Sequence, residues 1–451
     1  MVGKYQPYPE YRASGAQWLG EIPLNWNLFD GKRLFENRRE LSIGTDEQLA
    51  ASQKYGVIPQ SLMMKLNASK VMLALKGTSS FRHVGKDDFV ISLRSFEGGI
   101  EHSNYVGCVS PAYTVLVATK DTAASFYRYL FKSQPYIAAL QSSTDSLRDG
   151  KSITFDQFGA IPLVLPMLNE QQKIAIFLDH ETAKIDTLIE KQQQLIKLLE
   201  EKRQAVISHA VTKGLNPNAL MRDSGVEWLG EVPEHWNISK VKYLAELTPK
   251  KTEVEALKNK TCSFIPMEKL KKDLLILDET RQISQVFDGY TYFKDEDLLV
   301  AKVTPCFENK NMVVARGLHN GVGFGSSEIY VLRPNLESLN DFLYYRLQED
   351  ILMEMATGAM TGAGGLKRVP SVFLNNVQLA LPPMKERLEI VEYIRGYVSK
   401  FDNLMKNSEY VIKLMQERRT ALISAAVTGK IDVRNWQALQ PSNKSNNNTG
   451  K

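Results

Sequence analysis

Apolar residues recur at heptad spacing along residues 170–212: Ile174, Leu178, Ile185, Leu188, Leu195, Leu199 and Val206. Neither Gly nor Pro occurs from Met167 to Lys213. This pattern predicts a long helix with an a/d seam. Moved along the chain by 216 residues, the seam returns as Ile390, Ile394, Phe401, Leu404, Val411, Met415 and Leu422. The ends of the two stretches, E-K-R-Q-A-V-I-S-H-A-V-T at 201–212 and E-R-R-T-A-L-I-S-A-A-V-T at 417–428, are two-thirds identical. Each helix could lie on its own globular region, but two seams in one phase are most simply satisfied by burying each other. An antiparallel pair is therefore expected, with Glu181, Gln192 and Lys202 interrupting the seam and setting register. A helix of about 43 residues spans roughly 65 Å.

A second repeat precedes each helix. S-G-A-Q-W-L-G-E-I-P-L-N-W at 14–26 returns as S-G-V-E-W-L-G-E-V-P-E-H-W at 224–236, with eight of thirteen positions the same. Trp18, Trp26, Trp228 and Trp236 flank a Gly and a Pro that predict a turn. Their rings could stack on bases, but anchoring the segment to a core is the favoured reading.

The intervening regions, 27–165 and 237–381, share an order of elements rather than residues. Asp88-Phe-Val-Ile-Ser corresponds to Asp297-Leu-Leu-Val-Ala as a buried strand. Phe96-Glu97 corresponds to Phe307-Glu308, and Gly107, Ser110, Val115 and Leu116 to Gly323, Ser326, Val331 and Leu332. A helix is expected around Phe126 and again around Phe342, and each region closes on a proline-bounded extended stretch. The fold class is α+β: two pseudo-repeated globular domains separated by two long helices forming an antiparallel coiled coil. The expected boundaries are 1–165, 166–213 (central helix), 214–382, 383–431 (C-terminal helix) and a disordered polar tail at 432–451.

Composition narrows the chemistry. Hydrophobic residues make up 43% of the 451 residues, enough for more than one core. The three cysteines, Cys108, Cys262 and Cys306, are far apart, which argues against a zinc ribbon or disulfide scaffold and for a reducing compartment. The N-terminal residues do not read as a signal peptide, and no apolar run approaches the ~20 residues of a membrane span. A cytoplasmic location is expected. The net charge of +5 allows nucleic acid as a partner without demanding it.

No P-loop occurs, nor an Asn/Asp-Pro-Pro-Tyr/Phe tetrapeptide, and the six histidines lack metal-ligand spacing. Gly321-Val-Gly-Phe-Gly325 adjoins a strand and reads as structural. Asp297, Glu308 and Lys310 resemble the carboxylate–lysine set of metal-dependent nucleases, but the first copy has Gly99 where the second has the lysine. A surface loop is the favoured reading. A duplicated reader would hold its frame constant and vary its loops, and that is the pattern here. The variable loops carry Arg82, Lys86, Arg94, Arg148 and Lys151 in the first copy. In the second they carry Lys302, Lys310, Arg316, Lys367 and Arg368. Such side chains grip phosphates or read guanine edges, and together they form the expected DNA-binding set.

The repeated tryptophan segment, Thr304-Pro-Cys-Phe-Glu-Asn309, Asn320-Gly-Val-Gly-Phe-Gly325 and the two helix ends resemble type I restriction–modification specificity subunits. That resemblance spans nearly the whole chain. It implies two target-recognition domains, each reading one half of a gapped DNA sequence, with the coil as spacer and docking surface for two methyltransferase subunits. Motor-nuclease subunits would complete the complex, and S-adenosylmethionine, ATP and Mg²⁺ would bind to partners. This chain would be a reader without catalysis of its own. The same chain would equally serve a methylation-only assembly, while a pure protein scaffold is the competing class.

Overall fold

Two long helices, α1 (Leu168–Lys213) and α2 (Met384–Val427), each run through both units of the chain. One unit comprises Met1–Gln193 and Glu409–Lys451, the other Gln194–Ser408. The computed structural model describes residues 5–67, 77–119, 121–143, 153–336, 339–363 and 365–438. Each unit thus holds the beginning of one long helix and the end of the other.

The seam is buried at its outer positions. Ile174 and Leu178 are fully enclosed in the first unit, as are Ile390 and Ile394 in the second. The helices pair in both units. Arg419 forks onto Asp186 at 2.8 and 3.3 Å in the first, and Arg203 Nε lies 3.2 Å from Asp402 in the second. Advancing along α1 from Asp186 to Arg203 means retreating along α2 from Arg419 to Asp402, so the pair is antiparallel. Nearer the middle of the helices, Leu188, Leu195 and Leu404 remain 47%, 42% and 51% exposed. The seam's outer positions thus sink into globular cores, as one reading of the sequence has it, while its middle positions lie half-exposed along the paired helices.

The globular part of the first unit is built on a four-stranded antiparallel sheet in the order Phe35–Arg38, Thr114–Ala118, Phe89–Ile91, Glu101–His102. The second unit repeats it as Ala245–Leu247, Ile329–Pro334, Leu298–Ala301, Met312–Val314. Helices Ala124–Leu130 and Asn340–Leu347 follow at the places the repeat predicts. The second unit also carries a sheet in which Thr261–Ile265 runs parallel to Val322–Gly325. Its glycines are there for close packing: a Cβ on Gly323 would lie 2.2 Å from the Phe293 ring, and one on Gly325 would lie 2.6 Å from the Ile265 carbonyl. The glycine-rich stretch is thus a packed strand, which leaves it no room to cradle a phosphate.

The tryptophans are anchors. Trp26 and Trp236 are fully buried. Trp26 Nε1 donates to Glu170 at 2.9 Å, and Trp236 Nε1 donates to Glu386 at 3.2 Å. Each carboxylate sits in the first turn of its long helix, where the helix dipole favours negative charge. Neighbours complete both clamps: Tyr8 and Asn25 on Glu170, and His235 on Glu386. The end of the other long helix closes the same core, through Leu422, Ile423, Ala426 and Val427 in the first unit. Ile207, Ala210 and Val211 do this in the second. These are the repeated helix-end residues, held alike because each meets an equivalent surface. At Gly429, a Cβ would lie 2.3 Å from Pro23.

Residues 432–438, expected to belong to a disordered tail, pack against the first unit. Val433 is buried and Trp436 packs edge-on to Phe177 and His180, because this segment covers the exposed side of α1; 439–451 lie outside the described residues.

A buried ion pair braces each central strand. Asp297 is 1% exposed and takes Arg333 in a two-pronged contact at 2.7 Å on each oxygen. In the first unit Asp88 is gripped by Arg38 at 2.9 and 3.3 Å. The aspartates are equivalent, but the arginines come from different strands, Phe35–Arg38 and Ile329–Pro334.

Two outcomes follow. Trp26→Ala and Trp236→Ala should each lower unfolding free energy by about 3–5 kcal/mol in urea titration; unchanged stability would favour a base-stacking role. Asp297→Ala should cost about 3 kcal/mol by leaving Arg333 under-compensated, with Glu253 at 2.6 Å softening the loss.

Candidate nucleic-acid interface

The basic residues nominated from the sequence fall into two groups, according to whether a carboxylate already holds them. Arg316 is the most constrained. It is forked by Glu296 at 2.8 and 2.9 Å and by Asp341 at 3.1 and 2.7 Å, and Glu296 and then Asp341 hold its guanidinium well above the ordinary range. Lys310 donates to Asp350 at 2.5 Å. Arg368 forks onto Glu328 at 2.9 and 2.8 Å, which keeps the Glu328 carboxyl below its usual range. Among the described residues, no carboxylate lies at ion-pair distance from Arg82, Lys86, Arg94, Lys302 or Lys367. Of these, Lys86, Arg94 and Lys367 are exposed. Arg148 and Lys151 lie outside the described residues.

The second unit gathers part of its set. The strand Leu298–Ala301 runs out at Lys302, whose carbonyl accepts from Val369 N and whose ammonium sits 5.1 Å from the Tyr330 ring centre. Val303 bridges to Arg368 in antiparallel fashion. This brings Lys302, Lys367 and Arg368 to one end of the strand, with Lys310 in the adjoining turn. Arg316 is not with them. It follows Ala315, which bonds Asp297 at the other end of the same strand. There it lines a polar cavity of about 870 Å³ together with Lys294, Asp295, Arg333 and Arg395.

The nuclease-like trio does not assemble around a common point. Both oxygens of Asp297 are taken by Arg333, Glu308 is exposed in a turn, and Lys310 turns to Asp350. Among the described residues, no group of three or more His, Cys, Asp or Glu side chains is placed to hold a metal ion.

In the first unit the structure adds residues that the sequence reading passed over. The hairpin Leu49–Ser52/Gly56–Pro59 turns through Gln53, Lys54 and Tyr55. Lys54 Nζ lies 4.9 Å from the Tyr55 ring centre, and Gln53 Nε2 donates to the Arg94 carbonyl at 3.5 Å. With Leu93, Arg94 and Tyr113 they line a cleft of about 490 Å³. The only sequence signal for this turn is Gly56, at φ +74°, between two short apolar runs; the approach of Arg94 is tertiary. Another cleft, past Tyr55, holds Arg128, Lys132 and Arg419, but Asp179, Glu101 and Asp186 already engage them. Burial pushes the Glu101 carboxyl up, against the pull of Lys132.

Residues 23–198 match the type I restriction modification DNA specificity domain. Over 223 residues the chain is 32% identical to the specificity subunit of the type I restriction enzyme EcoEI of Escherichia coli. Over 222 residues it is 30% identical to that of EcoAI, also of Escherichia coli. Each match takes in 49% of this chain and 37% of the relative, so only about a third of those proteins is spanned. The StySPI specificity subunit of Salmonella potsdam matches more fully, at 21% identity over 87% of this chain and 81% of its own. Among solved structures, a chain from work on complex assembly and conformational transition of the type I R-M system superposes with a TM-score of 0.66. It is 16% identical and covers 91% of this chain and 99% of its own. The HsdS subunit of Thermoanaerobacter tengcongensis gives a TM-score of 0.53 at 16% identity, covering 91% and 98%. These two likenesses concern the fold. Residues 23–198 thus carry a type I restriction modification DNA specificity domain, and the chain as a whole shares its fold with these two solved structures.

Proposed function

We propose that this chain is the DNA-reading subunit of a type I restriction–modification complex and performs no chemistry itself. Each globular unit reads one half of a gapped, two-part target, and the paired helices set the spacing. The observation that carries this reading is a constant frame with variable edges. Both units keep the indole–carboxylate clamp and the braced central strand, while the exposed cations lie on loops with no residue-level correspondence. An enzyme duplicated in this way would need its reacting groups in both copies.

Methylation and cleavage belong, in this reading, to partners: two methyltransferase subunits and motor-nuclease subunits, which bind S-adenosylmethionine, ATP and Mg²⁺. Apolar residues left exposed on the helices support docking of this kind. They include Leu188, Tyr410 and Leu414 in the first unit, and Leu195, Leu198 and Leu404 in the second. A modest net charge of +5 also fits a reader that shares phosphate neutralisation with other subunits.

The test is to co-express the chain with its cognate methyltransferase in a host lacking such systems and map methyl-adenine by long-read sequencing. A single gapped motif that disappears without this chain is expected. A complex that forms and yields no motif would favour a protein scaffold instead. Arg94→Ala should relax or weaken one half of the motif and spare the other; equal loss in both would contradict the two-reader arrangement. Leu195→Asp, at a half-exposed position, should leave the chain folded and abolish co-purification of the methyltransferase.

A further inference from the structure

The second unit carries a two-stranded ribbon, Thr361–Ala363 paired with Leu366–Arg368, in which all six residues are exposed. Isolated hairpins of this size are marginal in water, and this one covers no core. It is nevertheless held at its root. Thr304 Oγ1 donates to the Gly365 carbonyl at 2.8 Å and accepts from Lys367 N at 2.9 Å, and Thr304 N donates to the Lys367 carbonyl at 3.0 Å. Arg368 is braced inward by Glu328. An exposed ribbon fixed at its base by side-chain and backbone bonds is built to present its surface.

Its two faces differ. The register sets Gly362 opposite Lys367 and Ala363 opposite Leu366. A Cβ on Gly362 would come 2.3 Å from the Leu366 carbonyl, so Lys367 stands on its face with no cross-strand side chain beside it. Lys367 is among the cations with no carboxylate at ion-pair distance among the described residues. The other face offers Ala363 and Leu366, the latter 46% exposed. Arg368 shares the face of Leu366 but is held by Glu328. A cation unpaired among the described residues on one side, and apolar groups on the other, match what a major groove displays: guanine N7 and O6, and the thymine methyl. Size agrees as well. Three residues of strand reach about 10 Å, against a groove about 8.5 Å deep and wide enough, at about 12 Å, for a two-stranded ribbon.

We infer that the paired strands Thr361–Ala363 and Leu366–Arg368 are the element of the second unit that enters the DNA major groove, with Lys367 and Leu366 reading bases and Arg368 holding the ribbon in place. This rests on the reading function proposed above. The experiment uses the full chain co-expressed with its methyltransferase, comparing the methyl-adenine motif of the wild type with those of Lys367→Ala and Leu366→Ser. Both positions are exposed, so the complexes should co-purify in normal yield. Lys367→Ala should relax discrimination at one base pair of one half-site by roughly 5- to 150-fold, and Leu366→Ser should relax another in the same half. The other half-site should be unchanged. Motifs identical to wild type in both variants would overturn the ribbon's role while leaving the reading function standing. A uniform fall in methylation with the motif intact would make Lys367 a phosphate contact and overturn the major-groove placement. Loss of co-purification with the motif retained would mark the ribbon as a protein contact. If the wild-type chain directs no gapped motif, the reading function fails, and the ribbon's role with it.

Discussion

A buried indole N–H on a carboxylate in the first turn of a long helix is the contact on which each unit depends. Trp26 with Glu170 and Trp236 with Glu386 join the start of a globular region to the start of the helix that follows it. The carboxylate is buried in one case and largely covered in the other, and it answers several donors at once, with the helix dipole adding to the attraction. A buried Glu without these donors would be costly. The partners are therefore mutually required, and the repeated segment tolerates change mainly at positions outside the clamp.

The clamp also explains why the helix ends are repeated so closely. The core around each tryptophan is closed by the end of the other long helix, so Leu422 to Val427 and Ile207 to Val211 face equivalent surfaces and are held to equivalent residues. The loops at the sheet ends face solvent and carry no such constraint. The frame is therefore repeated within the chain while the edges differ, because frame residues are buried against one another and edge residues face solvent.

The central strands show how far the constraint reaches. Asp88 and Asp297 are equivalent in place and burial, yet Arg38 and Arg333 reach them from different strands. A buried carboxylate must be paired; which strand supplies the cation is free. Two units can therefore drift apart in sequence without losing the brace.

The duplication, the two long helices and the order of elements in each region were legible in the sequence, because heptad spacing, turn residues and short apolar runs are local signals. The burial of Trp26 and Trp236 was legible too, from their place beside a Gly-Pro turn. The state of each basic residue was not. Arg316, Lys310 and Arg368 look like free cations along the chain, and only folding brings Asp341, Asp350 and Glu328 to them. The half-exposed middle of the seam was hidden as well, since heptad spacing shows which face is apolar and not where a globular core ends. Thr-Gly-Ala at 361–363 has weak strand character, and its ribbon exists because Thr304, far away in sequence, ties its root. Local periodicity decided the elements of this protein; contacts between distant residues decided which of its cations are already held by a carboxylate.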